Sequence, residues 1–139
     1  EAQKLTLPPT ALICLVFDRD EFDSFDRIIV KAEKEGFEVG WSNPCFEIWM
    51  HAYFGKMPTA ASSKECVGNF ADEFKRKTGL EYKKNEPDIF NILERYGSFE
   101  KARKLARRKE REAERAYSKP SDRSPSTTVY KLVEKIRGV

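Results

Sequence analysis

Residues 11–17, "ALICLVF", form an unbroken apolar run that ends directly against Asp18, Arg19 and Asp20. A run with no polar alternation suits a strand covered on both faces, as in a parallel sheet flanked by helices, better than a half-solvated antiparallel strand. We expect a buried central strand here. The following stretch, "FDSFDRIIVKAEKEG", sets Phe25, Ile28, Ile29 and Ala32 at helical spacing, crowds acids into the first turn and puts Gly36 where a C-terminal cap belongs. Residues 37–41, "FEVGW", then read as a second strand. Strand, helix and strand in that order imply a right-handed parallel crossover, so the expected class is α/β with a parallel sheet.

Beyond the second strand the pattern turns helical. "CFEIWMHAYF" is dense in large apolar groups and should be the most buried helix, with Ser42 or Asn43 as its cap and Pro44 in its first turn. Further helices are expected over 63–77, 87–97 and 98–116. The last of these has Ser98 as its cap and so few strong apolar groups that it should face solvent. A polar loop broken by Pro120 and Pro125 leads to a final amphipathic helix over 126–136. Two strands make a poor independent core. Either the helices supply most of the burial, or partner strands lie upstream of residue 1. The absent initiating methionine agrees with a single domain shortened at its N-terminus, residues 1–55 forming its core and 56–139 a helical part.

Composition narrows the classes. With 40% hydrophobic and 35% charged residues and a formal net charge of +3, the 139-residue chain is globular rather than disordered, and any basic surface must be local. Cys14, Cys45 and Cys66 are odd in number and widely spaced, which argues against a disulfide framework or a zinc site and for reduced thiols in the cytoplasm. The longest apolar run is far too short for a bilayer, and the N-terminus has no signal-type apolar core, so no membrane association is expected.

In an open parallel sheet, ligands bind beyond the carboxyl ends of the strands. Asp18 and Asp20 fall there, two apart in extended backbone, so both carboxylates could grip one hard cation. The same acids, with Glu21, Asp23 and Asp26, could instead serve a helix N-terminus. Glu47, about one turn into the apolar helix, could point back at that crevice or face solvent. Ser42 and Asn43 could present polar groups to a phosphate or simply cap. His51, the sole histidine, sits on an aromatic helix face, where packing is its expected role. The 98–116 helix carries Lys101, Arg103, Lys104, Arg107, Arg108, Lys109, Arg111 and Arg115 against Glu100, Glu110, Glu112 and Glu114. Such a helix can track a phosphate backbone or be a solvated, internally paired face.

"LVFDRDEFDSF", "SNPCFEIWMHAYF" and "SPSTTVYKLVEKI", in this order, together resemble the RloB-like proteins, a TOPRIM-related family associated with prokaryotic restriction and abortive-infection defence loci. The resemblance implies a TOPRIM-type, Rossmann-like parallel sheet whose carboxylates bind Mg2+ or Mn2+ for phosphodiester cleavage in antiviral defence. Asp18 and Asp20 match the Asp-x-Asp positions as metal ligands and catalytic residues, and Glu47, in the "SNPCFE" block, is the third catalytic candidate by its position. Arg19, Ser42, Asn43, Arg103, Arg107 and Arg108 would engage substrate phosphates. The glutamate that TOPRIM domains place on an earlier strand has no match. The chain alone is therefore expected to be either a nuclease, or part of one, or a non-catalytic module binding nucleic acid or a defence partner protein. Self-association could cover the open strand edge.

Overall fold

Strand β1 (Cys14–Asp18) and strand β2 (Glu38–Asn43) pair in parallel, with Cys14 opposite Glu38 and Asp18 opposite Ser42. The crossover is helix α1 (Phe25–Lys34), which buries Phe25, Ile29 and Ala32. Its face meets Trp41, Phe17 and Val39 in a small cluster, with the Phe25 and Trp41 rings edge-on at 5.7 Å. The computed structural model describes residues 12–20 and 23–139; Glu21 lies outside them.

The chain continues through α2 (Glu47–Ala52), α3 (Ser63–Thr78), α4 (Ile89–Tyr96) and α5 (Phe99–Ala116). A 3-10 turn (Pro120–Asp122), the short strand β3 (Ser126–Thr127) and α6 (Val129–Arg137) complete it. Among the described residues this is a mixed α/β arrangement with a three-stranded sheet, ordered β1-β2-β3, and a helical C-terminal half.

Three expectations about the strands are corrected. First, β1 is an edge strand among the described residues, and Val16 is 50% exposed. Phe17 packs towards α1, while Val16 lines an open groove. Second, Ser126 and Thr127 do not begin a helix. They pair antiparallel with Asn43 and Ser42 and add a third strand to the sheet. The consecutive β-branched residues Thr127 and Thr128 favour extended backbone there. The Trp41 N–H donates to Thr128 Oγ1 at 2.9 Å, and the Thr128 N–H returns a bond to the Trp41 carbonyl at 2.8 Å. Third, Ser42 and Asn43 end β2 instead of capping α2, whose first residue is Glu47.

Every residue of α2 is buried, with Trp49 and Ala52 fully so. Trp49 meets Tyr53 at 5.4 Å and Phe99 at 6.1 Å, both edge-on. Helix α5 is a packed layer rather than a solvated one. Phe99, Ala102, Leu105 and Ala106 are buried, and the alanines let it approach α2 and β3 closely. Buried Glu110 accepts from the Tyr130 hydroxyl and from Lys131 Nζ at 2.8 Å, tying α5 to α6. Gly40 leaves room for α6 in the same way, since a Cβ there would meet Leu132 and lie 3.3 Å from the Val129 Cα.

His51 packs edge-on to Phe70 at 6.0 Å, and burial lowers its pKa from 6.5 to about 4, with Glu73 opposing and Lys56 assisting. A histidine whose folded pKa is depressed stabilises the fold above its unfolded value and loses that contribution as pH falls from 6.5 towards 4. His51→Phe is expected to remove an acid destabilisation of about 2 kcal/mol at pH 4.5. Thermal melts of parent and variant at pH 4.5 and 7.5 check it.

Candidate functional site

Pairing persists beyond the strand ends. The Arg19 N–H donates to the Ser42 carbonyl at 2.8 Å and the Asp20 N–H to the Pro44 carbonyl at 2.9 Å. Asp20 then takes a left-handed backbone with φ of 42°, a conformation that aspartate tolerates better than most side chains, so the chain turns at the second acid instead of staying extended. Its carboxylate accepts from the hydroxyl of Ser63, the first residue of α3, and that hydroxyl also lies 3.3 Å from the Pro44 carbonyl. Asp20 is thereby fastened to α3.

Asp18 is half-buried and accepts from the Phe46 N–H. Burial, with smaller contributions from the negative charges of Asp20 and Glu47, raises its pKa from 3.8 to about 6 against the opposing pull of the Phe46 N–H and Lys84. Glu47 is only 4% exposed at the head of α2. The Tyr82 hydroxyl donates to its Oε2 at 2.8 Å, and Lys84 Nζ lies 3.8 Å from the same oxygen. Burial and the Glu47 carboxylate hold the Tyr82 phenol protonated well above its ordinary range. The Tyr82 ring is itself fixed edge-on to Phe70 at 4.8 Å.

Two openings meet at Asp18. A cleft of about 240 Å³ is lined by Asp18, Glu47, Tyr82 and Lys84. A groove of about 550 Å³ is lined by Asp18, Asp20, Val16, Ile28 and the Phe25 and Phe46 rings. The structure thus brings Asp18, Asp20 and Glu47 into one neighbourhood and adds Ser63, Tyr82 and Lys84, which sequence reasoning missed. For Tyr82 and Lys84 the one local signal is "EYKK", an aromatic and two cations between α3 and α4. Among the described residues, no group of three or more His, Cys, Asp or Glu is disposed to hold a metal ion.

Other expected site residues lie elsewhere or are engaged. Ser42 Oγ is within 2.8 Å of Thr127 Oγ1, and Asn43 Nδ2 donates to the Pro120 and Ser121 carbonyls at 3.1 Å each. Both side chains are buried and fasten the C-terminal segment to the strand end. The Arg19 guanidinium reaches the Asp20 carbonyl at 3.4 Å. Arg103 and Arg107 bond Glu134 of α6 at 3.1 and 2.6 Å, and Arg107 lies over the Tyr130 ring. Arg108 is exposed.

The geometry defines a mixed α/β chain with a carboxylate cleft at the carboxyl end of a parallel strand pair. The family model for RloB-like protein matches residues 2–136, and the chain belongs to that family. No curated protein and no solved structure matches it. No helix among the described residues is long and apolar enough to cross a membrane.

Proposed function

We propose that the chain is a divalent-cation-dependent nuclease, or part of one, and that its strand–helix–strand unit is a TOPRIM-type, Rossmann-like arrangement. The observation that carries the reading is the position of Asp18, which lines both the cleft shared with Glu47 and Lys84 and the groove shared with Asp20. The donor set fits the cation. Asp18 and Asp20 offer hard oxygens suited to Mg2+ or Mn2+, and magnesium needs only one or two protein carboxylates when waters and phosphates complete its shell. A cation held there would neutralise phosphate charge and polarise the phosphoryl oxygen. The Lys84 ammonium, exposed above Glu47, is placed to draw a phosphate into the cleft, and Tyr82 keeps the Glu47 carboxylate oriented towards it. Anti-phage defence in a prokaryotic cytoplasm, with a defence partner protein, belongs to the same proposal and rests on the family.

The test is cleavage of single- and double-stranded DNA and RNA with Mg2+ or Mn2+, using the parent, Asp18→Asn and Asp20→Asn. Metal-dependent cleavage lost in both variants supports the reading. A parent that binds nucleic acid but never cleaves it replaces the nuclease with a non-catalytic module. Lys84→Gln is expected to push the Asp18 titration further above 6, because a cation that lowers it is gone; carboxyl NMR across pH 4 to 8 reads this directly.

A further inference from the structure

We infer that the outward face of α5 is a binding surface for a single-stranded nucleic acid. Lys101, Lys104, Arg108, Arg111 and Arg115 recur at steps of three and four residues and are all exposed, so they form one stripe opposite the buried Phe99, Ala102, Leu105 and Ala106. At about 1.5 Å per residue the stripe runs about 21 Å. Lys104 lies 3.7 Å from Glu100, while the other four make no ion pair among the described residues. The exposed acids Glu100, Glu112 and Glu114 fall at its margins when the helix is turned 3.6 residues at a time. These are not the cations that lie nearest the core. Arg103 and Arg107 are spent on Glu134, and that pairing leaves the outer row free for an external polyanion.

A lipid surface is the poorer occupant, because an interfacial helix needs an apolar face to insert and the apolar face of α5 is in the core. Tyr117 selects among nucleic acids. It stands two residues beyond Arg115, is 51% exposed, and offers a ring on which an unpaired base can stack while a paired one cannot. Its segment is anchored: Arg123 Nε donates to the Tyr117 carbonyl at 2.9 Å, and the Pro120 and Ser121 carbonyls are held by Asn43. Ser121 also bonds Asp26 of α1, through its N–H at 2.8 Å and through its hydroxyl. The stripe therefore ends in a short loop docked at the carboxyl end of β2, the strand that pairs with the Asp18 strand. Delivery of a strand to the carboxylate cleft rests on the proposed nuclease reading; binding by the stripe does not.

The experiment is a fluorescence-anisotropy titration in EDTA with fluorescein-labelled oligo(dT) and oligo(U) of about 20 nucleotides, and a duplex of the same length, between about 50 and 200 mM NaCl. The single strands are expected to bind with a log–log salt slope of about −3 to −4. The quadruple variant K101Q/R108Q/R111Q/R115Q should flatten the slope to about −1 and lose about 100-fold or more in affinity at low salt. Tyr117→Ala should weaken single-strand binding about 10-fold and leave duplex binding unchanged. Unaltered affinity and slope in the quadruple variant overturns the inference. So does equal binding of duplex and single strand with Tyr117→Ala neutral, or binding to phosphatidylserine vesicles in place of either oligonucleotide. Lys34→Gln, an exposed cation at the end of α1 and off the stripe, should bind as the parent does. Binding that persists in a parent that never cleaves leaves this surface standing and removes the nuclease.

Discussion

Replacing Asp18 with asparagine is expected to make the chain less active and more stable at once. On the proposed nuclease reading, activity falls because one of the two carboxylates that would hold the cation is gone. The charge stabilisation such a cation supplies is worth several kcal/mol, so cleavage should drop by about 100-fold or more. Stability rises for the reason that Asp18 titrates high. Burial first, and the nearby Asp20 and Glu47 charges next, disfavour its ionised form, so its pKa is about 6 in the fold against an ordinary 3.8. The folded state then binds more protons than the unfolded state between those values. Its stability contribution is fully present below 3.8 and is lost as pH rises to 6. At pH 8 the parent carries the cost of a half-buried carboxylate, while the asparagine that replaces it is neutral and keeps an oxygen for the Phe46 N–H. Solvent screening at a partly exposed group reduces the gain to about 1 kcal/mol, or about 3 °C in Tm. Melts in EDTA at pH 8 and pH 4 check the sign, because the variant should gain at pH 8 and show little difference at pH 4. A variant destabilised at pH 8 would mean that Asp18 serves the fold. The His51 window runs the other way over an overlapping range, so the parent's stability should vary less between pH 4 and 6 than that of either single variant.

The aspartates were legible because a strand's carboxyl end can be read from an apolar run meeting acids. The sequence could not show that Asp20 turns left-handed, and this turn is what places its carboxylate on Ser63, 43 residues away. Tyr82 and Lys84 were invisible for a related reason. They lie in an aperiodic loop and reach Glu47 only through tertiary packing of the Tyr82 ring on Phe70. Ser42 and Asn43 show the ambiguity of short polar side chains, which can cap a helix, hold a phosphate or clasp a neighbouring segment; here they clasp β3 and the 3-10 turn. The strand β3 has only two residues, too few for alternation to register. A row of arginines likewise does not say which of them pair. Glu134 takes Arg103 and Arg107 from another helix, and the outward row stands out only once those two are set aside. Small side chains hid the burial of α5, since alanines at 102 and 106 read as weak apolar signal yet permit the closest packing.

Gly97→Ala is expected to cost about 3 kcal/mol, a fall of about 10 °C in Tm, although Gly97 is partly exposed. Its φ of −140° is open to every residue, so the cause is space and not backbone strain. A Cβ at this position would press into the Tyr53 carbonyl oxygen, sit 2.9 Å from the Tyr53 carbonyl carbon and 3.1 Å from the Leu93 oxygen. These are backbone atoms, which cannot rotate aside as a leucine tip can at Gly40. The neighbouring bonds leave little slack, for the Gly97 N–H donates to Leu93 at 2.7 Å and the Ser98 N–H donates to Tyr53 at 3.0 Å. The substitution must therefore lift the α4–α5 junction off the end of α2. Since α2 begins with Glu47, the strain also reaches the carboxylate cleft from its far end. Alanine at 97 should thus lower cleavage at temperatures where the variant is still folded, whereas Gly68→Ala, which meets nothing within 4 Å, should leave both Tm and cleavage at or slightly above the parent's. Matched melts and cleavage rates for the two alanine variants separate a clash at one junction from a general intolerance of side chains at glycine positions.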